Sequence, residues 1–188
     1  MKSNLAQLIA SRRAIYPEQY NPSPITEESI KSLLEAANWA PTHRRTEPWR
    51  FQVFHSEDAR KQLSNFFAEV YPKTVVKLSE IKMRKYVVKP LKAGCVIAIC
   101  LRRDPKESLP EWEEIAATAM AVQNMWLLAT ELGLGAYWST PSLITHYGDY
   151  FQLGAGERCL GFFYLGHYDG EVPEGLRDTP IEEKTTWI

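Results

Sequence analysis

The stretch from Glu111 to about Leu132 reads as one long helix with almost no polar face: Ile115, Ala116, Ala117, Ala119, Met120, Ala121, Val122, Met125, Trp126, Leu127 and Leu128 are all apolar. A helix that is apolar nearly all round has to be covered nearly all round. A chain of 188 residues can build one domain with a sizeable core, but has little material left to enclose such a helix. A second copy of the chain is the simplest source of the missing cover. The small alanines let two helices approach closely, and a two-fold axis repeats that contact on both chains. The expectation is a single domain, 1–188, within a homodimer.

Around this helix the pattern alternates between helix and strand. Leu5, Leu8 and Ile9 share one helical face ahead of Ser11-Arg12-Arg13, two cations placed where a helix dipole favours them. Tyr16 to Pro24 is proline-rich and reads as an extended crossing. Thr26 caps the next helix, with Glu27 and Glu28 in its first turn, and Ile30, Leu33, Leu34 and Ala37 form its buried face. Trp49, Phe51 and Val53 alternate with Arg50, Gln52 and Phe54 as in a strand, and Ser56-Glu57-Asp58 opens another helix. Val70 to Lys92 is rich in Lys and Arg and reads as a solvated helical face. Ala93 to Leu101 has the continuous apolar character of a strand covered on both sides. Ser108-Leu109-Pro110-Glu111 has the form of a capping box, and Gly133 ends the long helix. Strands follow at Ala136–Ser139 and Leu160–Leu165, then a tail from Gly166 to Ile188 that is either disordered or wraps another subunit; Trp187 and Ile188 favour wrapping.

Charge excludes some partners. Lys plus Arg (22) and Asp plus Glu (23) nearly cancel, so neither nucleic acid nor an anionic membrane is the expected main partner. Met1 to Asn4 leads straight into the amphipathic pattern without a secretory apolar stretch, so a cytoplasmic location is the default expectation. Cys95, Cys100 and Cys159 lie in apolar runs without metal-ligand spacing and read as buried core thiols.

No Walker loop, His-Glu-x-x-His, Gly-x-Ser-x-Gly elbow or paired-cysteine metal motif occurs, and Gly133-Leu134-Gly135 lacks the third glycine of a dinucleotide fingerprint. No metal site is expected. What remains suits a flat, anionic, aromatic ligand. Arg12-Arg13 offers a phosphate clamp, His43 with Arg44 and Arg45 offers donors, and Trp39, Trp49 and Trp138 offer planar walls. Each also has a structural reading, as surface charge, loop hydrogen-bonder or core aromatic.

The order of the pieces carries more weight than any one of them. Ser11-Arg12-Arg13, Pro24-Ile25-Thr26, "LLEAANWAPTHRRTEPWRFQVF", "AATAMAVQNMWLLATELGLGAYW" and "LGFFYLGHYDG" run in sequence from near Leu5 to the C-terminus. In this order they resemble the FMN-dependent nitroreductase family, and the "PEWEE" lead-in resembles its small branch of bacterial NAD(P)H nitroreductases. The resemblance implies an α+β sandwich, with a central, mostly antiparallel sheet flanked by helices, in an intertwined homodimer with FMN at the subunit interface.

Carried over by position, it implies that Arg12 and Arg13, with the Ala14 backbone, hold the FMN phosphate and ribityl chain. Trp39 and His43 line the cofactor from the helix-to-strand connection, and Trp138, Ser139 and Thr140 approach it from the strand after Gly135. Trp49 packs behind. Three positions depart from the family pattern: Ala14 replaces a Ser or Thr, Glu47 replaces a Gln, and Ser139-Thr140 lacks an arginine. No catalytic side chain is implied, because the flavin carries the chemistry. The implied activity is NAD(P)H-dependent reduction of nitroaromatic, quinone or similar electron-poor acceptors. The alternatives are a flavin-using fragmentation or dehalogenation enzyme on the same fold, or a non-catalytic FMN-binding dimer.

Overall fold

The computed structural model describes residues 5–172 and 174–188, so the Met1–Asn4 reading lies outside the described residues. Its frame is a four-stranded sheet of β1 (Trp49–Phe54), β2 (Cys95–Arg102), β3 (Gly135–Ser139) and β4 (Glu157–Gly166). The spatial order is β1-β2-β4-β3, and every pairing is antiparallel. Around the sheet lie α1 (Leu5–Ser11), α2 (Glu27–Asn38), α3 (Glu57–Thr74), α4 (Glu80–Lys92), α5 (Glu111–Glu131) and the one-turn α6 (Tyr147–Tyr150). This is the expected α+β sandwich.

The apolar run of β2 explains the layering. Successive strand side chains point to opposite faces, so Cys95, Ile97 and Ile99 enter one core while Val96, Ala98 and Cys100 enter another. The first core is closed by Ile30 and Leu33 of α2 and Ala121, Val122 and Met125 of α5. The second is closed by Leu63, Phe66 and Phe67 of α3 and by Tyr147. In β4, register passes from Ile99↔Gly161 to Cys100↔Cys159, which leaves Leu160 as the extra residue of a bulge.

Local chemistry sets the helix ends. Thr26 Oγ1 accepts from Ser29 N at 3.1 Å and Ser56 Oγ from Ala59 N at 3.1 Å, as the cap patterns imply. Gly133, at φ 70°, turns the chain out of α5. The capping box at Ser108 does not form. Asp104 takes both the amide and the hydroxyl of Ser108, and α5 starts behind Pro110 with no side-chain cap. Glu114 anchors that end instead: it is fully buried, ion-paired with Arg103, and accepts from Asp104 N at 2.8 Å.

Other expectations shift in detail. The basic segment is not one helical face but the end of α3, a break, and α4. Tyr71 is buried and Tyr86 stacks on Phe67 with centroids 5.8 Å apart, while most of its lysines face solvent. In β1 the alternation is frayed: Phe54 enters the second core and Val53 is exposed, because β1 is an edge strand. Arg12 and Arg13 follow α1 rather than closing its last turn. Leu5 and Ile9, the intended buried face of α1, are exposed in the single chain. The tail is irregular apart from a short 3-10 turn at Ile181–Lys184, and Trp187 and Ile188 are exposed.

Candidate functional site

The residues singled out from sequence fall into three groups. The first lies where α1 gives way to the segment beside β3. Ile15 N donates to Ala136 O at 3.0 Å, which fixes Arg12, Arg13 and Ala14 against the sheet edge. Trp126, midway along the second half of α5, donates its indole N–H to Arg13 O at 3.1 Å. The Arg12 guanidinium stands over the same ring, 4.5 Å from its centre, a cation–π arrangement. Arg13 reaches back to Ala10 O at 2.6 Å.

The tail returns to this group. A Cβ on Gly175 would fall 2.3 Å from Arg13 Nη2, so the tail passes directly against the Arg13 guanidinium. Arg177 lies close enough that it, with burial as the larger cause and Arg13 as the smaller, pulls the Arg12 pKa below its ordinary value. Arg12 thus stands over one indole within electrostatic reach of two further guanidinium groups. Nothing in the residue pattern singles out Arg177, a lone cation in an irregular tail, or Trp126, whose apolar neighbours on α5 make it read as core alone.

The second group is Trp138, Ser139 and Thr140 at the end of β3. Trp138 pairs with Phe163, whose ring meets Trp126 edge-on at 5.6 Å, so Trp138 and the indole under Arg12 share one face of the sheet, while Ser139, opposite Phe162, lies on the other. Ser139 is buried and Thr140 exposed. The indole N–H of Trp138 is buried without a hydrogen-bond partner among the described residues. It lies over Gly161, where an added Cβ would come within 2.4 Å of Nε1 and 2.7 Å of Ser139 O.

The third group, Trp39 and His43, is elsewhere. Trp39 ends α2, is largely exposed, and donates to Glu35 Oε1 at 2.9 Å. His43 Nδ1 meets Glu113 Oε2 at 2.6 Å. His43 also lines a cavity of about 400 Å³ with Pro41, Trp112, Ala116 and Met120. Glu113 and Trp126 are 13 residues apart on α5, so His43 and Arg12 are about 20 Å apart along it. One chain does not bring all the candidate residues together.

The connection carrying His43 is strained. Arg44 and Arg45, both at φ 53°, and Glu47 at φ 43° occupy the left-handed region without being glycine. Thr42 braces the turn, its hydroxyl accepting from Glu47 N at 3.2 Å, and Arg44 donates to Ser108 O at 3.1 Å. The Glu47 side chain is exposed; Arg50 lies near it but faces Glu157 at 3.8 Å. Trp49 packs behind, buried, donating to Asn38 Oδ1 at 3.3 Å.

Another cavity, of about 730 Å³, runs along Tyr20–Ile25, the start of α3 and the end of α4, and is lined by none of these residues. Among the described residues no cluster of three or more His, Cys, Asp or Glu side chains suits a metal ion. Nor is any described helix long and apolar enough to cross a membrane.

Comparison with known proteins agrees with this architecture. The family model described as "Nitroreductase family" matches residues 9–167. A Bacillus subtilis protein provisionally named NAD(P)H nitroreductase YfhC is 31% identical over 186 residues, covering 98% of this chain and 94% of that protein. The provisionally named NAD(P)H nitroreductase YdjA of Escherichia coli K12 is 26% identical over 163 residues, 85% of this chain and 86% of that protein. A nitroreductase-like protein of Bacillus cereus superposes with a TM-score of 0.83 at 27% identity, over 100% of this chain and 97% of that one. A Desulfovibrio desulfuricans structure solved in complex with FMN gives 0.75 at 24% identity, over 100% and 98%. With this family model matching residues 9–167 and a relative 31% identical over 98% of this chain, the chain belongs to the nitroreductase family.

Proposed function

We propose that the protein is an FMN-dependent NAD(P)H oxidoreductase acting as a homodimer. The observation that carries this reading is Arg12, held 4.5 Å from the ring centre of Trp126 within electrostatic reach of Arg177 and Arg13. Burial and two like charges oppose the charge on Arg12, and a phosphate dianion would relieve both. The partnerless Trp138 N–H, on the same face, offers a donor to a bound ring system. These residues fit FMN: guanidinium groups for its phosphate, with the Ala14 backbone continuing along the ribityl chain, and Trp138, Ser139 and Thr140 beside its ring.

Bound FMN would supply the redox chemistry, accepting hydride from NAD(P)H and passing electrons to a nitroaromatic, quinone or similar acceptor in alternation. The chain's own part is to bind and orient. The arginines neutralise the phosphate, the tryptophans exclude water from the ring faces, and polar groups beside the ring favour the negative charge that grows on reduction. His43, about 20 Å from Arg12 along α5, reaches the same pocket if a second copy supplies it, with Trp39 lining the cofactor from the same connection. The uncovered side of α5, with Trp112, Ile115 and Met120 exposed, is the surface that such a copy would cover.

An absorbance spectrum from 300 to 550 nm, before and after anaerobic NADPH, tests the reading. Flavin bands that bleach on NADPH addition are expected. Colourless protein that takes up no added FMN would overturn it.

A further inference from the structure

Cys100 and Cys159 stand opposite each other across the β2–β4 ladder, at the bulge, with both side chains in the second core. Opposed residues in an antiparallel ladder have Cα atoms about 4.5 to 5.5 Å apart, inside the range of about 4.4 to 6.8 Å that a disulfide spans. No strand movement is needed to bring the two within bonding range. Cys95 lies on the other face of β2, opposite Leu165, and is excluded from the pair.

The two thiols differ in access. Cys100 is wholly enclosed, whereas Cys159 keeps 6% exposure and lines a cavity of about 370 Å³ with Ile144, Leu153 and Leu160. Cys159 Sγ rests 3.5 Å from Gly161 O, at the bulge.

We propose that Cys100 and Cys159 are a reversible cross-strand dithiol–disulfide couple, oxidised by a small hydroperoxide that enters the cavity at Cys159. The Cys159 sulfur, as thiolate, attacks the terminal oxygen; the O–O bond breaks, leaving a sulfenic acid and a water or alcohol. The Cys100 sulfur then attacks Cys159 Sγ, the S–O bond breaks, and hydroxide leaves as water with the proton from Cys100. Two thiols lose two protons and two electrons, and the hydroperoxide takes them up. Contact with Cys159 and burial both push ionisation of Cys100 far above the ordinary thiol range, so Cys100 is not the sulfur that meets the peroxide first. The bridge would close the bulge beneath Trp138, so the state of the pair bears on the strand end that carries Ser139 and Thr140.

The test uses the full-length protein exposed to hydrogen peroxide, then unfolded, alkylated with iodoacetamide and analysed by intact mass and peptide mapping. One alkylated cysteine, Cys95, a loss of two hydrogens and a crosslinked Cys100–Cys159 peptide are expected, with dithiothreitol restoring all three alkylation sites. In Cys100→Ala, dimedone should trap a sulfenic acid at Cys159. Three alkylated cysteines after peroxide, oxygen added at Cys159 without a crosslink in the wild-type chain, or a bridge involving Cys95 would each overturn the proposal. The wild-type measurement stands on its own if the variant fails to fold.

Discussion

The guanidinium of Arg12 lies flat enough over Trp126 to sit 4.5 Å from its ring centre, while the indole N–H of the same tryptophan holds the Arg13 carbonyl at 3.1 Å. One side chain of α5 therefore fixes both the charge and the backbone of the arginine pair. Arg12→Ala and Arg177→Ala should each weaken FMN binding by about 1.5 to 3 kcal/mol, the range for hydrogen bonds to charged groups. Fluorescence quenching titrations would show the loss, and Arg12→Lys should recover only part of it, because an ammonium does not stack on the indole as a guanidinium does. Affinities equal to wild type would remove these residues from the phosphate site.

Gly161→Ala places a methyl 2.4 Å from Trp138 Nε1 and 2.7 Å from the Ser139 carbonyl. The indole can move, but the carbonyl belongs to the paired strand. A destabilisation of about 3 kcal/mol is expected. For a chain of this length that corresponds to a fall in melting temperature of roughly 6 to 12 °C. Calorimetry checks it, and an unchanged transition would mean that the strands separate there at little cost.

Glu114→Ala leaves Arg103 and the Asp104 amide without their shared acceptor in a buried position. Removing one partner of such a pair costs about 3 to 5 kcal/mol, which urea denaturation would resolve. Glu114→Gln, which keeps an acceptor, should lose less.

The turn that precedes this anchor responds to acid. Asp104 accepts from Lys106 N and from Ser108, and the Ser108 hydroxyl is the largest cause holding its carboxyl below the usual carboxylate range. A depressed pKa contributes stability that is fully present above the unfolded value of about 3.9 and disappears as pH falls through the lower folded value. Amide exchange at Lys106 and Ser108 should therefore accelerate only below about pH 4. In Asp104→Asn the same amides should exchange fast at neutral pH.

Much of the frame was legible in the residues. Thr26 and Ser56 cap their helices as the local pattern implies, and the unbroken apolar run of β2 required cover on both faces. Ser108 misled because Asp104, four residues earlier, takes its donors, a competition that a cap motif does not encode. The three arginines escaped detection as a set because Arg177 is 165 positions from Arg12 and meets it only through the path of the tail. Trp39 and His43 were identifiable as candidates but not their distance from Arg12, which depends on where α5 runs.

Association of two chains has its own test. Met120→Glu puts a carboxylate on the exposed apolar side of α5 without touching its buried side. Sedimentation should shift from a particle of roughly twice 21.6 kDa to one of 21.6 kDa, and bound FMN should fall with it. A single-chain mass for the wild-type protein would rule out a pocket shared between copies.

Because α5 turns once every 3.6 residues, the 13 steps from Glu113 to Trp126 set an angle as well as a length, about 220° of rotation. Inserting or deleting one residue between them would swing one contact around the helix axis by about 100°. The loops at either end can lengthen or shorten and merely reshape a rim. The helix between them works as a phased spacer, and its residue count is a quantity that descendants of this chain have almost no freedom to change.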